Sequence, residues 1–164
     1  MTSDQQHKGA DITTPTEREI RCERVFDAPR DRVFAAYTDP ELIPQWWGPH
    51  GTTAEVDYMD VRTGGRWRFV MHNSDGSTSG FLGAYREVSP PERIVQTFEW
   101  EGMPGHVSAE TATFEDLGDQ TKVTTVSIFH TTEERDGMLG SGMADGLNET
   151  YERLDEVLAK QAAG

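Results

Sequence analysis

Arg66-Trp67-Arg68-Phe69-Val70-Met71 alternates without a break, with Trp67, Phe69 and Met71 on one face and Arg66 and Arg68 on the other. Successive side chains of a strand point to opposite faces, so this is a strand with one apolar face. The period of two continues outward in both directions. Strands are predicted at 52–59, 65–73, 79–88, 93–101, 109–117 and 121–130, parted by turn sequences such as Asn73-Ser74-Asp75-Gly76, Ser89-Pro90-Pro91 and Gly102-Met103-Pro104-Gly105. Connections this short join antiparallel neighbours into a meander.

Ahead of the meander, residues 17–27 mix β-branched and aromatic residues with charges and read as a first strand, whose face of Ile20, Cys22 and Phe26 is interrupted by Arg24. Asp27-Ala28-Pro29 and Thr38-Asp39-Pro40-Glu41 are start signals for two short helices, the second ended by Gly48-Pro49. After the meander, Thr131 and Glu134 have capping-box spacing. Met143, Leu147, Tyr151, Leu154 and Leu158 then recur at helical spacing, predicting an amphipathic helix from about Ser141 to Ala162. The order of strand, two short helices, six strands and a long helix is α+β. Seven twisted antiparallel strands curl, and a helix across the concave face encloses space that becomes a pocket wherever side chains leave it unfilled. Residues 1–16 hold one aliphatic, Ile12, and are expected to be a disordered tail before a single domain at 17–164.

The chain has 164 residues, of which Leu, Ile, Val and Phe make 30, and a net charge of −14. That aliphatic supply is thin, so the 6 Met, 4 Trp and 4 Tyr must complete the core. Residues 87–164 carry net −11 of the charge, which repels phosphate backbones and anionic bilayers, so neither nucleic acid nor membrane insertion is expected. No stretch is long and apolar enough to span a bilayer, and the N-terminal sequence lacks the apolar segment of a secretion signal. A cytoplasmic location follows as the expectation. Lone Cys22 reads as a small buried hydrophobe.

Phe26-Asp27-Ala28-Pro29, Val33-Phe34, then Thr38-Asp39-Pro40-Glu41-Leu42-Ile43-Pro44-Gln45-Trp46-Trp47-Gly48-Pro49 resemble the entry segment of the bacterial proteins similar to the activator of the ninety-kilodalton heat-shock-protein ATPase. Gly64-Gly65-Arg66-Trp67, Pro90-Pro91-Glu92-Arg93-Ile94-Val95 and Gly142-Met143-Ala144-Asp145-Gly146 before Leu154-Asp155 extend the likeness over residues 17–161. This family belongs to the START and birch-pollen-allergen superfamily, also called SRPBCC. The resemblance implies a helix-grip fold: a curved seven-stranded antiparallel sheet, two short helices after the first strand, and a long C-terminal helix across the concave face. It implies a cavity between sheet and helix that different members use for apolar ligands and sometimes for cyclisation or hydrolysis. Many relatives carry Trp where this chain has Leu147.

The five histidines are scattered and no cysteine pair exists, so no metal site is expected, and no cofactor fingerprint survives inspection. Gly140-Ser141-Gly142 with Gly146 has the wrong spacing and follows antiparallel strands. The expected function is binding of a small, mostly apolar, lipid-like or polyketide-like molecule. Trp46, Trp47, Trp67, Phe69, Phe81, Tyr85, Phe98, Trp100, His130, Met143, Leu147 and Tyr151 are the candidate cavity residues, with Tyr85, His130 or an inward arginine orienting the ligand. Two rivals use the same chain differently. A polyketide cyclase or aromatase would need an inward acid or base, for which Asp57, Glu87 and Glu99 are the strand carboxylates considered; a co-chaperone-like module would present the acidic C-terminal half to a basic protein. Either a monomer or a homodimer suits all three.

Overall fold

The computed structural model describes residues 9–163. Eight strands form one antiparallel sheet: β1 (Asp11–Thr13), β2 (Glu19–Phe26), β3 (Thr53–Met59), β4 (Arg66–His72), β5 (Thr78–Ser89), β6 (Arg93–Trp100), β7 (Val107–Asp116) and β8 (Thr121–Ile128). Their order is β1-β2-β8-β7-β6-β5-β4-β3, so the meander β3 to β8 is sequential and β2 closes it by pairing with β8. Helices α1 (Arg30–Thr38) and α2 (Ile43–Trp46) follow β2, and α3 (Thr132–Leu139) and α4 (Met143–Ala163) follow β8. This is the α+β helix-grip arrangement, with one strand more than the seven expected.

The additional strand, β1, comes from the stretch expected to be tail. Its Ile12 stands opposite Cys22 and packs beside Ile20, Cys22 and Phe129, so the one aliphatic residue of that stretch finds an apolar surface. The backbone N–H of Ala10 also donates to Asn148 Oδ1 on α4 at 2.9 Å. Residues 1–8, the rest of that expectation, lie outside the described residues.

Helix starts follow the sequence signals in part. Thr131 caps α3 by accepting from the Glu134 N–H at 3.1 Å. Asp27 does not cap α1, whose N-cap is Pro29; the Asp27 carboxylate instead accepts from Gln120 Nε2 at 2.6 Å.

The main core lies between the sheet and α1, α2 and α4, and includes Phe26, Val33, Phe34, Ile43, Trp46, Trp67, Phe114, Val123, Tyr151, Leu154 and Leu158. Edge-on ring contacts knit it: Phe26 with Tyr151, Phe34 with Phe114, and Tyr37 with Phe114, all at 5.1 Å between centroids. Arg24, the residue that interrupts the inward face of β2, is buried and forms two 2.7 Å hydrogen bonds with the Asp155 carboxylate on α4. This bidentate pair fixes α4 against the sheet.

Acids of the C-terminal half have structural work. Glu134 meets His106 at 3.0 Å, and Glu152 meets His50 at 3.0 Å, while Glu149 accepts from the His50 N–H at 3.0 Å. These contacts tie the β6–β7 loop to α3 and the turn before β3 to α4.

Candidate functional site

Strands β4 and β5 turn Trp67, Phe69 and Tyr85 inward, and α1 and α2 lay Tyr37, Ile43, Trp46 and Trp47 over them. The next three strands present smaller and more polar side chains on the same face. Gln96 stands opposite Glu110 and Glu110 opposite Ser127; in the adjacent row Ile94 stands opposite Ala112 and Ala112 opposite Thr125. Between these two sets lies a cavity of about 110 Å³. It is lined by six aromatic rings (Tyr37, Trp46, Trp47, Trp67, Phe69 and Tyr85), by Ile43, Ile94 and Ala112, and by Gln96, Glu110 and Thr125. A larger hollow of about 550 Å³ at the β3–β4 turn, lined by Tyr58, Asp60, Arg62, Gly64, Gly65 and Arg66, is open to solvent and holds no buried polar group.

Glu110 is the one ionisable acid lining the cavity. It is half-buried by surface, lines the cavity, and holds its carboxyl group deep in the protein. Burial pushes its pKa from 4.5 to about 7, opposed only by the Ser127 hydroxyl, which donates to Oε2 at 3.4 Å. A carboxylate costs free energy in a poorly solvated place, so near neutral pH this group is poised between its two forms.

Phenols and a thiol surround it. Burial pushes the Tyr37 phenol well above its usual range and the Tyr151 phenol to about 12. The two hydroxyls lie close enough to bias each other, but not in hydrogen-bonding geometry, and the Tyr37 hydroxyl is buried with no hydrogen-bond partner. Burial, with the Glu110 charge adding to it, pushes the Cys22 thiol to about 11, so it stays protonated and unreactive at neutral pH.

Among the described residues the other buried side-chain polar atom without a partner is Trp67 Nε1. It lies over Gly83, the cross-strand neighbour of Trp67. A Cβ on Gly83 would stand 2.6 Å from that nitrogen and 1.9 Å from the Thr97 carbonyl oxygen, so only glycine lets the indole and β6 come this close. Gly83→Ala is expected to cost about 1–3 kcal/mol through overpacking, read as a lower urea midpoint; an unchanged midpoint would show that the indole is not wedged there.

The predicted candidates separate into four groups. Trp46, Trp47, Trp67, Phe69 and Tyr85 line the cavity. Phe81 and Phe98 stand behind the lining, Phe81 5.3 Å from Trp47 and Phe98 6.1 Å from Trp67. Tyr151 is buried against Phe26, and Leu147 packs against both apolar clusters. Met143 belongs to the second cluster, with Ile20, Cys22 and Phe129. Trp100 and His130 are exposed. These seven residues thus lie off the cavity wall; Trp100 shares the face of Phe98 but ends its strand at the surface, folded against Gly102, and His130 follows the end of β8. No residue of α4 lines the cavity, so it lies under α1 and α2 rather than under the C-terminal helix.

Trp46 and Trp47 differ as neighbours. Trp46 is buried and donates through Nε1 to the Ala36 carbonyl at 3.0 Å, which joins α2 to α1. Trp47 is half-buried, a cavity wall that also meets solvent. The inward arginine, Arg24, is engaged by Asp155 and does not line the cavity. The strand carboxylates considered from the sequence face outward in ion pairs or turns: Asp57 meets Arg68, Glu87 meets Arg93, and Glu99 accepts from the Gly105 N–H. Tyr37, Ile43, Ile94, Gln96, Glu110, Ala112 and Thr125 are the lining residues that sequence reasoning missed. Glu110 had a signal, since it lies four residues before buried Phe114 on the same face of β7.

Among the described residues, no three metal-ligating side chains converge and no helix is long and apolar enough to cross a membrane.

Known proteins place this geometry. A crystal structure of a Rhodobacter sphaeroides protein superposes with a TM-score of 0.87 at 26% identity, covering 93% of this chain and 99% of that one. The solution structure of an Arthrobacter aurescens protein gives 0.84 at 25% identity, covering 92% and 91%. An HSP90 activator from Plasmodium falciparum gives 0.53 at 19% identity, covering 74% and 87%, which is a likeness of fold alone. A search of curated proteins finds no match. Residues 27–159 match the family described as "Activator of Hsp90 ATPase homolog 1-like protein", and with the helix-grip fold around them the chain belongs to that family, within the SRPBCC superfamily.

Proposed function

We propose that the protein binds a small, mostly apolar molecule, or the end of a longer one, in the cavity beneath α1 and α2. One observation carries this reading. An aromatic-walled cavity holds a buried carboxyl group and a buried phenol hydroxyl without a partner, an arrangement that costs stability and that a tightly packed core avoids. The volume of about 110 Å³ sets the scale. A dry protein cavity of about 150 Å³ admits benzene, and drug-sized pockets begin near 300 Å³. A whole lipid or polyketide chain is therefore too large for this conformation.

Xenon or benzene, followed through the methyl signals of Ile43 and Ile94, tests the reading. Both isoleucines line the cavity, whereas Ile12 sits in the second cluster. Shifts at Ile43 and Ile94 with none at Ile12 are expected, and a silent spectrum would remove the proposal.

A second reading, proton transfer in the same cavity, is favoured by Glu110 alone. A carboxyl with pKa about 7 suits a general base near neutral pH. It requires deuterium exchange beside the carbonyl of a small ketone such as acetone, abolished in Glu110→Gln; exchange no faster than in buffer would dismiss it.

A further inference from the structure

The cavity's chemistry is one-sided in charge. Its lining has six aromatic rings and one carboxyl group, and contains no Lys, Arg or His. Arg24, the nearest buried cation, spends its charge on Asp155 through two 2.7 Å bonds. Aromatic faces carry the negative end of a quadrupole, and they attract a cation most strongly where both are shielded from water. A carboxylate closed in without a counter-charge is costly, and either a proton or a bound cation relieves it. The whole molecule, at −14, raises the local concentration of cations and lowers that of anions.

Size narrows the choice. At the roughly 30 Å³ per heavy atom that liquid water occupies, 110 Å³ holds about four atoms; at the packing of benzene in a 150 Å³ cavity it holds about four to five. A metal ion would leave most of this space empty and finds only one charged ligand. A carboxylate or phosphate would face Glu110 with no basic group to receive it.

We propose that the cavity receives a small organic cation of the methylated ammonium class, free or as the head of a longer molecule, with its methyl groups against the Trp46, Trp47 and Trp67 rings and its charge balanced by Glu110. This rests on the small-ligand reading above and names the ligand chemistry. Tyr37 and Thr125, polar groups of the same lining, complete the contact without adding charge.

Binding is coupled to the Glu110 proton. The cation favours the carboxylate, so below pH 7 its entry expels a proton, and affinity rises with pH until Glu110 is already ionised. The groups facing Glu110 do not blur this. Gln96 and Ser127 do not titrate, the Cys22 thiol at about 11 and the Tyr37 and Tyr151 phenols stay protonated, and Arg24 is turned to Asp155 on α4.

Tetramethylammonium and tert-butanol test the proposal as a matched pair, each with five heavy atoms and similar shape. Calorimetry on the intact chain is run from pH 5 to 8 with the Ile43 and Ile94 methyl signals as the locator. The expected result is at least tenfold tighter binding of tetramethylammonium at pH 8, falling at least fivefold by pH 5.5, with proton release detected at pH 6 as an enthalpy that depends on the buffer. In Glu110→Gln, confirmed folded by its amide spectrum, the preference should shrink to within about twofold. Equal or tighter binding of tert-butanol, or a cation preference that survives in Glu110→Gln and ignores pH, overturns the proposal. The two failures are distinct: tert-butanol moving Ile43 and Ile94 while tetramethylammonium does not leaves the small-ligand reading standing, and neither probe moving them, with xenon and benzene silent too, removes both.

Discussion

Trp67→Ala is expected to lower folding stability by about 3–5 kcal/mol, the range for removing a buried large aromatic. Trp67 is 1% exposed and its ring meets Phe69 at 4.7 Å, so the deletion removes both transfer free energy and ring contacts and widens the existing cavity. The indole N–H makes a contrary contribution. Because Nε1 has no partner, its loss relieves a desolvation cost of about 1–3 kcal/mol. Trp67→Phe separates the two contributions: it keeps one ring and discards the orphan donor, and should cost less than about 1.5 kcal/mol. Urea denaturation of the three proteins checks this, and a Phe variant as unstable as the Ala variant would mean that the full indole outline, rather than ring burial, holds the site.

Glu110→Gln should stabilise the protein in alkaline solution and leave it unchanged in acid. In the folded chain the Glu110 pKa is raised from 4.5 to about 7. Below pH 4.5 both folded and unfolded forms carry the proton and no penalty exists. As pH rises from 4.5 towards 7 the unfolded chain releases its proton first, so the wild type loses stability across that window and levels off above it. A rise of this size corresponds to about 3 kcal/mol at pH 8. Glutamine can still accept from Ser127 and never ionises. Urea midpoints at pH 4 and pH 8 should therefore coincide with wild type in the first case and exceed it in the second; equal midpoints at both would mean that Glu110 is solvated in the folded state.

The fold was legible because large side chains announce themselves by period. The alternation at 66–71 orients Trp67 and Phe69 correctly, and the spacing of Tyr151, Leu154 and Leu158 places the buried stripe of α4. The strand β1 escaped because three residues are too short for periodicity, and its place depends on Ile12 meeting a surface built 10 residues later around Cys22. The cavity was half legible for a different reason. Space arises where side chains are small, and on β7 it is Ala112, next to Glu110 along the inward face, that leaves room. A search guided by aromatic residues finds the walls and also gathers Trp100 and Met143, which stand elsewhere. It passes over a glutamate beside a small neighbour. Whether Trp47 is a wall or a plug depends on its exposure, which only the packing of α2 sets.

The two rims of the sheet bear on how copies of the chain meet. A strand with free N–H and C=O groups invites another chain to pair with it, and such growth has no natural stop. On one rim β1 covers Arg21 to Glu23 of β2. On the other, β3 is irregular between Val56 and Tyr58 and carries Glu55 and Asp57. Kinked there, and with Glu55 and Asp57 already held by His72 and Arg68, that rim is a poor template for a second strand. Among the described residues one rim offers only the three-residue edge of β1 and the other a kinked β3, so neither is a good template for sheet extension.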